Sequence, residues 1–144
     1  MNSASIALTV SGAALAIAAL LHFACIFVGA PGYRLLGAGD QIVLAVQAGD
    51  FRPHLSAGFV GGALLLCSWY AIAGAGHFKS PPLQQFVLYT VSLLLLARAI
   101  LFPLLKPHFP GNSGTFWLVS STACGILGAL LLYGAFNRPT IHGA

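Results

Sequence analysis

Arg98 is the residue most able to do chemistry in this sequence, because its guanidinium lies inside the long apolar run from Leu83 to Leu105. A charged side chain at the centre of a membrane-spanning helix costs about 3 kcal/mol on insertion scales. The side chain must therefore be paired, reach back to the interface, or hold a ligand. The sequence leaves a structural role and a ligand-binding role open as alternatives.

Five further polar residues are candidates for the same site. His22 lies late in the first apolar run, where a lone imidazole can bind a ligand or simply bond to a nearby carbonyl oxygen. Asp40 and Asp50 are the two acidic residues of the chain, so either could neutralise Arg98 or share a ligand with it. The candidate ligand-binding set is Arg98, His22, Asp40, Asp50, Arg34 and His54.

The composition places these residues in a membrane protein. Hydrophobic residues make up 58% of the chain and charged residues only 6%, whereas soluble domains carry about 25% charged residues. We expect an all-α integral membrane protein with a single domain over residues 1–144. The net charge of +4 is scattered, which argues against nucleic acid as a partner and favours contact with membrane lipids.

Four apolar runs predict transmembrane helices at about residues 6–29, 54–75, 83–105 and 115–136. The short connections between them predict an antiparallel four-helix bundle. Residues 40–49 predict a short amphipathic helix at the interface between the first two spans, with Asp40 as its N-cap and Gly49 as its stop. Pro103 predicts a kink in the third span, shortly after Arg98.

This topology predicts where the polar residues meet. The loops after the first and third spans lie on one face of the bundle, and the loop after the second span lies on the other face with both termini. His22 and Arg98 then lie about 10 Å below the first face. We expect a small protein that binds or passes a lipid or a small amphipathic anionic ligand near these two residues.

An assembly module is the alternative function. Gly58 and Gly62 have the GxxxG spacing that brings membrane helices together, and a stripe of small residues runs along the fourth span at Ser120, Cys124 and Gly128. Such surfaces would bind further copies of the chain or another membrane protein. This alternative predicts an oligomer without a ligand pocket.

A haem or metal redox protein is the third class of function. Haem or a metal needs several converging ligands, but His22 is the one histidine well inside a predicted span. Signatures of hydrolases and of phosphoryl transfer are missing from the sequence. We therefore predict no catalytic residue, no metal site and no cofactor, and expect binding rather than catalysis.

The stretch from Leu21 to Asp40 resembles small proteobacterial membrane proteins in which a YRxxGAG-type segment follows the first helix. More broadly, the chain is similar to the DoxX-like group of four-helix membrane proteins. The resemblance implies a multi-pass protein of the bacterial inner membrane and brings no established catalytic residues. Its matched positions are Tyr33, Arg34, Gly37 and Gly39, whose residue types predict a tight turn with the arginine at the interface.

Overall fold

The computed structural model describes residues 2–138. Over this range the chain forms seven α-helices and one short 3₁₀ helix, with no strand, so the predicted all-helical class is confirmed. The α-helices are α1 (Ser3–Val28), α2 (Ala30–Leu35), α3 (Asp40–Gln47), α4 (Arg52–Gly74), α5 (Gln84–Ile100), α6 (Phe102–Leu105) and α7 (Gly114–Asn137), and the 3₁₀ helix is Lys106–His108.

Three of these helices are long and apolar enough to cross a membrane. They are α1, α4 and α7, with 26, 23 and 24 residues. At 1.5 Å per residue each exceeds the roughly 30 Å of a bilayer's hydrocarbon core. Their ends lie within three residues of the predicted spans 6–29, 54–75 and 115–136.

The third apolar run is broken rather than continuous. α5 ends at Ile100, and the segment that follows Leu101 is bent away by 67°. Pro103 has no N–H to donate to the carbonyl of Ala99, and its ring crowds that carbonyl, so a straight helix cannot pass this point. The predicted kink is confirmed, and the predicted span 83–105 consists of two helices instead of one continuous helix. The run is long enough to cross a membrane only if α5 and the bent segment count together.

α1 lies at the centre of the packing. It contacts α4 most extensively and also contacts α7, which in turn packs against α5. Ser68 on α4 donates a hydrogen bond of 2.6 Å to the carbonyl oxygen of Gly12 on α1. The core side chains shared by the four long helices are Leu8, Leu15, Ala71, Leu88, Leu131 and Ala135.

The close contact between α1 and α4 does not use the predicted GxxxG pair. Among residues 2–138, a Cβ at Gly62 would meet nothing within 4 Å, and one at Gly58 would meet only Ile26, at 3.9 Å. A Cβ at Gly61 would instead lie 2.9 Å from the ring of Phe23. Packing within the chain therefore uses the neighbouring face of α4, one residue before Gly62.

The predicted stripe on α7 does contribute to packing at its C-terminal end. A Cβ at Gly128 would lie 2.9 Å from Leu96 and 3.0 Å from the carbonyl oxygen of Ser92, so this glycine allows α5 to approach closely. Cys124 is half-buried, and Ser120 accepts a hydrogen bond described below.

The first and third loops meet on one face, as the topology predicts. Asn112 donates a hydrogen bond of 2.8 Å to the carbonyl oxygen of Gly37, and the N–H of Asp40 donates to the carbonyl oxygen of Pro110 at 3.2 Å. Gly37 has φ 72°, and a side chain there would overlap the ring of Phe116. Only glycine satisfies both requirements at this position.

The connection between α1 and α4 contains two short helices. α3 confirms the predicted short helix, but Asp40 is its first residue rather than its N-cap, which is Gly39 with φ 84°. Gly49, with φ 82°, follows the helix end as predicted. α2 lies where the sequence predicted only a tight turn, and Pro31 in its first turn suits a helix start.

Candidate functional site

A pocket of about 370 Å³ lies between α1 and α4, beneath α2 and α3. We call it the His22 pocket. Ligand sites in proteins typically have volumes of about 300–1,000 Å³, with mostly apolar walls and a few polar groups. The lining fits that description: it consists of His22, Cys25, Tyr33, Leu36, Ala38, Ile42, Pro53, Ser56, Ala57, Val60 and Phe109.

His22 is the polar residue that α1 contributes to this pocket. Its Nδ1 lies 2.8 Å from the carbonyl oxygen of Ala18, one turn earlier. A carbonyl oxygen only accepts, so Nδ1 carries the hydrogen in this bond. In a neutral ring the other nitrogen, Nε2, is then an acceptor that a ligand hydroxyl or amide can use. The backbone bond that the sequence offered as an alternative role is thus present together with the pocket position.

Tyr33, which lines the pocket, pairs with His54, which does not line it. The Tyr33 hydroxyl lies 2.9 Å from Nδ1 of His54, and the two rings are 5.5 Å apart at a tilted angle. Tyr33 is only 4% exposed. Burial raises the pKa of its hydroxyl above the ordinary value. This pair connects α2 to the start of α4 and holds the roof of the pocket.

Arg98 lies outside the pocket and faces α7. Its Nη1 donates to the hydroxyl of Ser121 at 3.2 Å, and its Nη2 donates to the hydroxyl of Ser120 at 3.3 Å. The guanidinium carbon lies 4.8 Å from the ring centre of Trp117, in cation–π geometry. Arg98 therefore joins α5 to α7 instead of lying beside His22.

The expectation that an aspartate neutralises Arg98 is wrong. Asp50 lies 3.7 Å from Nε of Arg52, and this exposed contact is the one ion pair within residues 2–138. Asp40 is exposed, and a side chain at Gly111 would overlap its carboxylate. Asp40 begins α3 and Asp50 lies just before α4, so neither enters the apolar region where Arg98 lies.

The remaining candidate does not join the His22 pocket either. Arg34 is exposed and lines a separate groove of about 350 Å³ between α2 and α3. For the metal alternative, no three His, Cys, Asp or Glu side chains converge anywhere in the described part of the chain. His142 lies outside the described residues.

Two residues that sequence reasoning missed connect the pocket to Arg98. Phe109, from the third loop, lines the pocket, and its ring centre lies 6.1 Å from that of Trp117, the partner of Arg98. Aromatic residues near span ends are expected at the interface, yet Trp117 is only 3% exposed. No spacing pattern singles out Phe109, because the pocket is formed by several separate elements.

The chain matches no model of a protein family, no curated protein and no solved structure.

Proposed function

We propose that the chain is a four-span antiparallel bundle of the bacterial inner membrane that binds a small amphipathic ligand, such as a lipid, in the His22 pocket. The bent segment after α5 would complete the fourth span. Exposed apolar side chains along the long helices support a lipid environment, among them Ile17, Phe59, Leu94 and Leu118. We also propose that the chain is related to the DoxX-like group of four-helix membrane proteins.

The pocket itself carries the proposal. Its walls are mainly apolar, and its polar groups are few: the imidazole of His22, the hydroxyls of Tyr33 and Ser56, and the thiol of Cys25. This pattern suits a ligand with an apolar body and one hydrogen-bonding end. None of the eleven lining residues is a lysine or arginine. The pocket therefore favours an uncharged polar end over the anionic group expected beside Arg98.

Native mass spectrometry of protein released gently from membranes tests this function. We expect a retained small molecule of constant mass. Ser56→Trp should lower its occupancy about tenfold, the equivalent of about 1.4 kcal/mol, because the indole would fill the pocket from an exposed position on α4. Ala63→Trp is the matched control: Ala63 is also exposed on α4 but does not line the pocket.

Two results would argue against the proposal. Equal occupancy in both tryptophan variants would mean that the retained molecule lies elsewhere. An oligomer without any retained molecule would favour the assembly alternative, for which the open surface at Gly62 is available.

A further inference from the structure

The charge of Arg98 is not neutralised by the groups around it. Its two hydrogen-bond partners are neutral serine hydroxyls, and the tryptophan ring beneath it is also neutral. A guanidinium has five N–H donors, and two bonds account for two of them. Within residues 2–138, no carboxylate lies within 4.0 Å of this side chain. A cation in an apolar helix without an acidic partner calls for an anion from outside the chain.

The two serines differ in what they can still donate. Ser120 gives its own proton to the carbonyl oxygen of Trp117, at 3.3 Å. The hydroxyl of Ser121 accepts from Arg98 and makes no other hydrogen bond among the described residues. The free donors around the guanidinium are therefore its remaining N–H groups and the Ser121 hydroxyl, which together suit a phosphate oxygen.

A second cation, on the 3₁₀ helix, lies beside the first turn of α7. The amine of Lys106 lies 3.9 Å from the position a Cβ would take at Gly114, the first residue of α7. Gly114 and Ser120 are six residues apart, or about 9 Å along the helix axis. Neither α5 nor α7 contains an acidic residue. One side of the bundle thus carries two cations at successive depths.

We propose that Arg98 and Ser121 bind the phosphate of an anionic membrane lipid, and that Lys106, nearer the N-terminus of α7, attracts the same headgroup. The surroundings favour a lipid over a free ion, because Leu94, Ile100 and Leu118 are 65%, 73% and 62% exposed and would be covered by acyl chains. This inference rests on the proposed membrane location but not on the His22 pocket.

Quenching of Trp117 fluorescence by brominated lipids tests the site. The chain has two tryptophans, and Trp69→Phe leaves Trp117, which touches Arg98, as the sole reporter. We compare bilayers in which either the phosphatidylglycerol or the phosphatidylcholine is brominated. We expect stronger quenching by brominated phosphatidylglycerol than by brominated phosphatidylcholine. Each cation near the surface contributes about fivefold to this preference, so Lys106→Gln should lower it about fivefold. Arg98→Gln should lower it by a similar factor, and the double variant should remove it.

Several controls keep the result decisive. Arg34→Gln removes an exposed cation near the same face, away from α7, and should leave the preference unchanged. Lys106 is exposed, so its variant tests the site even if Arg98→Gln fails to fold. Ser56→Trp should not alter the preference, which separates failure of this site from failure of the His22 pocket.

Three outcomes would overturn the proposal. One is equal quenching by the two brominated lipids in the parent chain. Another is a preference that survives in the double variant, Lys106→Gln with Arg98→Gln. The third is loss of the preference on adding inorganic phosphate, compared with chloride at the same ionic strength, since the ligand would then be a free anion.

Discussion

At the scale of single residues, the Tyr33–His54 bond offers a direct test of the pocket roof. Tyr33→Phe removes the 2.9 Å contact and leaves Nδ1 of a half-buried His54 without its partner. We expect the free energy of unfolding to fall by about 1–2 kcal/mol, as for other lost hydrogen bonds with a partner left behind. Denaturation in mild detergent measures this, with Tyr133→Phe, whose hydroxyl bonds to exposed Ser3, as the control.

The same residue gives stability a dependence on alkaline pH. Burial raises the pKa of Tyr33, so the folded chain keeps this proton where the unfolded chain has lost it. The folded state then binds more protons above about pH 10, and stability must fall as the pH rises through that range. Tyr33→Phe should show a shallower fall. Equal slopes for both proteins would contradict the burial of this hydroxyl.

Residue types alone indicate which polar side chains need a partner. They do not indicate which partner each side chain has in the fold. Arg98 had to be held by something, because its charge lies in an apolar run. Its partners Ser120 and Ser121 are on α7, however, and a helical wheel of α5 gives only a direction. Asp40 and Asp50 were assigned to it because they are the only acids, but Asp40 is exposed at the start of α3 and Asp50 pairs with Arg52.

At the scale of elements, leucine substitutions at two adjacent glycines on α4 should affect stability differently. Gly61→Leu would press a side chain into the ring of Phe23 on α1, whereas Gly62→Leu would enter open space. Both changes gain the same helix propensity, about 1 kcal/mol, so their difference reports the steric term alone. We expect Gly61→Leu to be less stable than Gly62→Leu by about 1–3 kcal/mol. Thermal unfolding of the two variants in one detergent measures the difference.

The opposite order of stability would indicate contact with another chain. If Gly62→Leu were the more damaging change, the exposed face of α4 would be buried against another chain, because nothing within the described residues touches it. That result would favour the assembly alternative.

Hydropathy predicted the long helices well because each is a continuous apolar run, but it could not select the contacting face. Several small residues lie together on α4, at Ala57, Gly58, Gly61 and Gly62, and spacing alone does not say which of them meets α1. The position of Phe23 on α1 decides it. Pro103 predicts a kink from the sequence. The angle of the bend depends on how the following turn packs, which the sequence does not give.

At the scale of the whole molecule, the two faces of the bundle are held by separate sets of bonds. Asn112 joins the third loop to the first, and on the opposite side Ser5 on α1 bonds to the carbonyl oxygen of Ala75 at 2.5 Å. Charge counts could not orient these faces, because both carry similar numbers of basic residues. The number of spans depends on whether the bent segment after α5 crosses the membrane.

Labelling single cysteines from one side of the membrane decides the number of spans. In a chain without Cys25, Cys67 and Cys124, new cysteines are placed at exposed Ala48, Ser80 and His108. With four spans, α4 and the bent third span each cross the membrane once. A membrane-impermeant thiol reagent should then label Ala48→Cys and His108→Cys from the same side, and Ser80→Cys from the other side. A permeant reagent applied after lysis checks that every site can react. If His108→Cys instead matched Ser80→Cys, the segment from Gln84 to His108 would be a re-entrant loop with three spans around it, and the bonds that join the third loop to the first could not form. Arg98 would then lie at the turn of that loop, where water could neutralise its charge, and the lipid-phosphate site would lose its physical basis.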